Sequence, residues 1–294
     1  MTDLAIETIG LTKRFGSQLA VDKLDLCIPV GSVFGFLGRN GAGKTTTIKM
    51  LLGLISATSG SVRVLGMDPK KDGIAIKLQV GYVAENQSMY GWMKVKEAIK
   101  FTAGFYPDWD SSVASGFCEM FELNPSTRIR TLSKGQQMRL ALTLALSCKP
   151  RLLILDDPTM GLDPITRKEF LNDIVSAIQE EGRTVFLSTH ILNELERVAG
   201  SIAIIDRGRL KVAGEIDSLK STVKSVRLTF ENTPPDIRVE GLLRTQSNGR
   251  DLFVTLTDFS EEKLGRLKQE YKPANLEVHS LSLDEIFEEF VLSR

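Results

Sequence analysis

The sequence predicts an α/β domain on a buried, largely parallel sheet, followed by a small α+β domain, and three observations carry that expectation. Short apolar runs at 33–37, 152–155, 184–187 and 202–205 alternate with helix-like segments at 45–54 and 167–179, the rhythm of strand, crossover and strand. A glycine-rich turn follows the first of these runs directly. After about residue 221 the pattern changes to period-two alternation, with Val226, Leu228 and Phe230 and then Leu252, Val254 and Leu256.

Each part of the chain has its own signal. Between 87 and 147 the strand rhythm gives way to helical periodicity, with Trp92, Val95, Ala98, Ile99 and Phe101 as apolar positions, so this stretch is expected to be a helical insertion. The first domain is expected over 1–220 and the second over 221–294. In the second, a helix from Ser260 sets Leu264, Leu267 and Tyr271 on one side. The last helix starts at Ser282, with Glu285 three residues on as the partner in a capping box. Leu283, Ile286, Phe287, Phe290 and Val291 form its apolar face, expected to pack on the chain itself.

Composition excludes several classes. The 294 residues carry 37 Lys and Arg against 37 Asp and Glu, so no global basic field draws the chain to nucleic acid, and no nucleic-acid partner is expected. Cys27, Cys118 and Cys148 are far apart and form no paired motif, which leaves free buried thiols in a reducing compartment as the expectation. The N-terminus has early acids and no basic stretch before an apolar core, against a signal peptide. No apolar run approaches the roughly 18 residues of a membrane helix, so any service to a membrane is expected from the water side through a separate partner.

The glycine-rich turn is Gly38-Arg39-Asn40-Gly41-Ala42-Gly43-Lys44-Thr45, which fits GxxxxGK[ST] and lies between a strand and a helix as that motif requires. Glycines let the backbone fold round phosphate oxygens with its amides inward, and the helix N-terminus adds favourable partial charge. Lys44 is placed to reach the β and γ phosphates, and the Thr45 hydroxyl to ligate magnesium, with Thr46 next in the same cradle. The run 152–155 ends in two acids: Asp156 is expected to hold the magnesium, and Asp157 to orient or deprotonate the attacking water. These residues define a P-loop NTPase and leave kinase, GTPase and helicase open.

Three further segments resemble one branch, the ABC ATPases. Leu132-Ser133-Lys134-Gly135-Gln136 is similar to their LSGGQ signature, Pro158-Thr159-Met160-Gly161-Leu162-Asp163 to their D-loop, and His190 to their switch histidine, in matching order over about residues 1–215. The resemblance implies a pair of ATPase subunits, homodimeric or mixed, closing on two ATP. Ser133, Gly135 and Gln136 of one copy, with Asp163, would cap the nucleotide held by the cradle of the other. It further implies that Phe15 stacks on adenine, with plain core packing as the alternative, and that His190 holds the γ-phosphate and the water in line.

The sequence departs from that family at three places. Asp157 stands where glutamate is usual, Glu85 stands at the usual glutamine as an expected magnesium ligand, with Gln87 a substitute two residues on, and Lys134 replaces one signature glycine. The shortened acid predicts slow hydrolysis. One ATPase unit, no membrane span, the LSKGQ variant, the segment Phe105-Tyr106-Pro107-Asp108-Trp109-Asp110 and the C-terminal 282–287 resemble the separate ATPase subunits of ABC-2 type multidrug or peptide exporters. That likeness implies a cytoplasmic subunit, peripheral on the membrane face, whose integral membrane partner docks near residues 85–100. Tyr90, Trp92 and Met93 are candidate contacts there, with core packing as the alternative.

Overall fold

The computed structural model describes residues 3–179, 182–196 and 198–293. It divides into two compact units, one of residues 1–200 with 205–210 and one of 201–204 with 211–294.

The first unit opens with β1 (Leu4–Phe15) and β2 (Gln18–Pro29), long strands joined by a tight turn. After β3 (Val33–Leu37) and α1 (Lys44–Leu51), the strand β4 (Ser59–Val64) pairs with β1 to complete an antiparallel sheet of order β2-β1-β4. Helix α2 (Gly73–Gln79) leads into β5 (Val80–Val83). The helical stretch then supplies α3 (Val95–Ala103), α4 (Ser111–Met120) and α5 (Lys134–Leu146) before β6 (Leu152–Asp156), α6 (Pro164–Gln179), β7 (Thr184–Thr189) and the short α7 (Leu192–Leu195).

Four strands of this unit run parallel in the order β5-β6-β7-β3. Every residue of β6 and β7 is buried, as expected for central strands covered on both faces. Phe34 and Phe36 of β3 meet Phe186 of β7 with ring centroids 6.2 and 5.3 Å apart, so apolar side chains fix β3 against β7. Because β3 is last in space but first in sequence among the four, the chain reverses at β7, and the crevice beyond the carboxyl ends of β3, β6 and β7 is the natural ligand site. The predicted α/β class is what folds.

Within the helical stretch the apolar reading needs correction. Val95 and Ala98 are buried, but Trp92 precedes the helix and is 66% exposed, and Phe101 is 47% exposed. Met93 belongs to the core and Tyr90 does not. Cys27 is exposed on β2, where burial was expected; Cys118 and Cys148 are buried, and burial pushes the Cys148 thiol up to about 11.

After β8 (Ser201–Asp206) and β9 (Arg209–Glu215), the second unit continues through α8 (Ile216–Thr222), β10 (Lys224–Thr229), β11 (Leu242–Asn248), β12 (Asp251–Leu256), α9 (Glu261–Tyr271), β13 (Asn275–Ser280) and α10 (Leu283–Leu292). Its antiparallel sheet has the order β11-β12-β10-β13. Val226, Leu228, Leu252, Val254 and Leu256 form one core with Leu267 of α9. The Ser282–Glu285 capping box begins α10 as the spacing predicts, and Glu289 on that helix accepts from Arg244 and Thr255.

Candidate functional site

Three strand ends converge at the crevice. Leu37 lies opposite Thr189 and Asp156 opposite Ser188, so the parallel register puts the glycine turn, the two acids and His190 at one level. The turn closes on tight contacts that admit only glycine at two positions. A Cβ on Gly38 would sit 2.7 Å from the Ile205 carbonyl oxygen, and one on Gly43, at φ 109°, would sit 2.6 Å from that of Ala20. The cleft beside the turn has a volume of about 670 Å³ and is lined by Phe15, Arg39, Asn40, Gly41, Gly43, Lys44, Thr45, Thr46, Glu85 and Asp157.

Lys44 is buried and donates to the Gly38 carbonyl at 2.8 Å, and its ammonium pairs with Asp157 Oδ2 at 3.1 Å. The other oxygen of Asp157 lies 2.8 Å from His190 Nδ1. A carboxylate only accepts, so this bond assigns the proton to Nδ1. A neutral ring therefore presents a lone pair at Nε2, and only the protonated ring donates there. Asp157 is at φ 44°, a left-handed backbone that costs energy for any residue with a side chain.

Asp156 is fully buried. Burial raises its carboxyl pKa, hydrogen bonds from Ser188 and Thr45 lower it, and the neighbouring Asp157 charge adds to the rise. Oδ1 accepts from Ser188 Oγ at 2.7 Å and from Thr45 Oγ1 at 3.2 Å, while the buried Oδ2 has no hydrogen-bond partner among the described residues. A buried carboxylate with an unused oxygen beside a threonine hydroxyl fits a hard divalent cation. Burial, then the charges of Asp156 and Glu85, push the Tyr82 phenol up to about 12. Glu85 faces this cleft, whereas Gln87 accepts from the Ala84 amide and lines a separate groove with Tyr82 and Tyr106.

The remaining predicted residues divide between the cleft and other places. Phe15 is 49% exposed in the cleft with the Lys13 ammonium 4.9 Å over its ring, which rules out a plain core role. Ala42 is buried outside the cleft lining, and Gly38 contributes its carbonyl to Lys44. Ser133, Gly135, Gln136 and Asp163 do not line the cleft of their own subunit.

Each of them also has a local structural role within its own subunit. Ser133 caps α5, its Oγ accepting from the Gln136 amide while Gln136 Oε1 accepts from the Ser133 amide, so the glutamine serves a capping box. The Ser133 hydroxyl proton stays available. Asp163 Oδ1 accepts from the Ile165 and Thr166 amides at the start of α6, and hydrogen bonding from the Thr166 side chain first, then from these amides, holds its carboxyl below the usual range. Lys134 is exposed and runs over Gly161, where any side chain would meet its ammonium.

Gly135 is buried, and a Cβ there would sit 2.5 Å from Thr166 Cγ2, so it also lets α5 approach α6. Gly135→Ala is expected to lower unfolding stability by about 1–3 kcal/mol through overpacking. Adding Thr166→Ser, which removes the clashing methyl, should return most of that in urea unfolding, and an unchanged deficit would show the clash is not the cause.

Sequence reasoning missed Gln18, Leu19, Ala20 and Arg207 in the cleft lining, which carry no motif: the first three open β2 and Arg207 lies in the turn after β8. Ser188, between the two acids, was missed as well.

Comparison with known proteins places this geometry. A family model described as ABC transporter matches residues 21–160. The chain is 39% identical to the bacitracin transport ATP-binding protein BcrA of Bacillus licheniformis over 73% of its length and 71% of that protein's. To the daunorubicin/doxorubicin resistance ATP-binding protein DrrA of Streptomyces peucetius it is 33% identical, covering 96% of this chain and 91% of that protein. Among solved structures, an ATP-binding subunit of an ABC transporter superposes with a TM-score of 0.67 at 26% identity, over 74% of this chain and 92% of the other.

Proposed function

The chain belongs to the ABC transporter family of ATP-binding proteins, and from that membership we propose that it is the ATPase subunit of a bacterial ABC-2 type exporter, acting through a separate membrane subunit. It binds ATP and hydrolyses it to ADP and phosphate. The observation that carries the reading is the Lys44–Asp157–His190 chain at the carboxyl ends of the parallel sheet.

In this proposal the triphosphate enters the cleft over Phe15 and takes Lys44 from Asp157. That exchange replaces one buried ion pair with another and frees Oδ2 to accept a proton from the attacking water. His190 keeps the Asp157 carboxylate turned through Oδ1. A magnesium ion held by Thr45, Asp156 and Glu85 would neutralise charge on the phosphates. Ser133, with its free hydroxyl proton at the start of α5, and the nearby Gly135 amide then donate to the γ-phosphate held by a partner subunit. The cleft lacks these groups in one copy, which is why a second ATPase subunit is part of the proposal. Binding closes the pair and hydrolysis reopens it.

Among the described residues no helix is long and apolar enough to cross a membrane. In this proposal the pore is the membrane subunit's. The docking face proposed for it is the aromatic cluster in which Tyr90 meets Trp92 and Phe101 at 6.0 and 5.9 Å and Phe101 meets Phe105 at 5.2 Å. All four rings are largely exposed, and the groove along Tyr82, Tyr106 and Ala141 has a volume of about 370 Å³. On this reading the subunit sits on the cytoplasmic face of the membrane. Purified from membranes in mild detergent, the protein should carry a polytopic membrane protein with it, and Trp92→Asp with Phe105→Asp should release that partner while ATP binding persists. A variant that keeps the partner in full would refute this face. A second reading, a slow nucleotide sensor, is favoured only by the short Asp157, and sustained phosphate release excludes it.

A further inference from the structure

Ser188 is the penultimate residue of a fully buried strand and stands between the two acids. Its Oγ donates to Asp156 Oδ1 at 2.7 Å and accepts from the Asp157 amide at 3.1 Å, and the same amide also donates to the Ser188 carbonyl at 3.0 Å. One hydroxyl has one proton and two lone pairs, so it does both at once. Of the two hydroxyls on Asp156 Oδ1, Thr45 is itself a candidate metal ligand. Ser188, on the opposite strand, is the donor that holds the carboxylate plane without binding the cation. The residue whose amide it fixes is the one at φ 44°, a conformation that persists only where its surroundings dictate it.

We propose that Ser188 is a positioning residue: it aims the Asp156 carboxylate at the nucleotide-bound divalent cation and holds the strained peptide that presents Asp157. The proposal rests on the assignment of Asp156 to the cation under the proposed function. Hydrogen-bonding partners of a metal-binding carboxylate set its orientation, and losing one costs roughly 10–100-fold in metal affinity. A serine that merely filled space in the core would leave metal affinity untouched when replaced by a residue of similar size.

The test is Mn2+ binding to the full-length protein with a non-hydrolysable ATP analogue, read from the free-ion electron paramagnetic resonance signal. Ser188→Ala should weaken Mn2+ binding at least about tenfold, with analogue affinity in EDTA unchanged. Ser188→Cys, whose thiol is a weak donor, should fall between the two. Ser188→Ala binding Mn2+ as tightly as the parent would overturn the proposal. Should the alanine variant fail to fold, the cysteine variant decides, and parental Mn2+ affinity there has the same consequence. A parent protein that takes up no Mn2+ with the analogue instead sinks the cation assignment of Asp156 on which the proposal stands.

Discussion

Asp157→Asn is expected to keep ATP binding and lose turnover by about 10²-fold or more. The amide cannot take a proton from water at neutral pH, and it also removes the charge that pairs with Lys44 at 3.1 Å. The two consequences separate the roles. Turnover falls because the acceptor is gone, whereas affinity holds or rises because Lys44 no longer leaves an anion to meet the triphosphate. Phosphate release measured beside fluorescent-nucleotide binding reads both, and turnover equal to the parent's would show that Asp157 is not the base. The parent itself should hydrolyse slowly, since its carboxylate reaches one methylene less far than a glutamate and misplacement on that scale is costly.

Lys44→Ala should be the more damaging change, because it acts on both stability and binding. The ammonium and the Asp157 carboxylate are 5% and 6% exposed, so truncating the lysine leaves a buried carboxylate without its cation, close to the equally buried Asp156. Breaking such a pair costs on the order of 3 kcal/mol of stability. Loss of the cation facing the phosphates should weaken ATP binding by about 10²-fold. The double variant with Asp157→Asn, which removes the stranded charge, should regain much of the stability in urea unfolding but none of the ATP affinity. If the double variant is as unstable as Lys44→Ala alone, the buried pair is not what the lysine contributes to folding.

The parts of the site that the sequence made legible are those where chemistry dictates residue type at fixed spacing. Gly38 and Gly43 have no room for a side chain, and Asp156 and Asp157 end an apolar strand, so the pattern alone points to the cleft. The local bonds of Asp163 and Gln136 at the helix starts were not legible, because capping and ligand contact use the same residue types. Ser188 left no signal, since its role comes from a parallel register set by residues more than thirty positions away. The β2-β1-β4 sheet went unread because register shifts between Thr8 and Leu11 and between Leu11 and Lys13 break the period-two pattern. Trp92 and Phe101 sit at helical spacing yet face solvent, which spacing alone does not reveal.

The signature residues stand outside the cleft of their own subunit, so the whole account depends on a second ATPase subunit supplying them. Light scattering on the Asp157→Asn protein with ATP and Mg2+ measures this directly. The expected result is a two-subunit species, of two copies of this chain or of one with a companion ATPase subunit, that falls apart when nucleotide is removed. A single-subunit mass at saturating ATP, alone and with every companion ATPase subunit supplied, would contradict it.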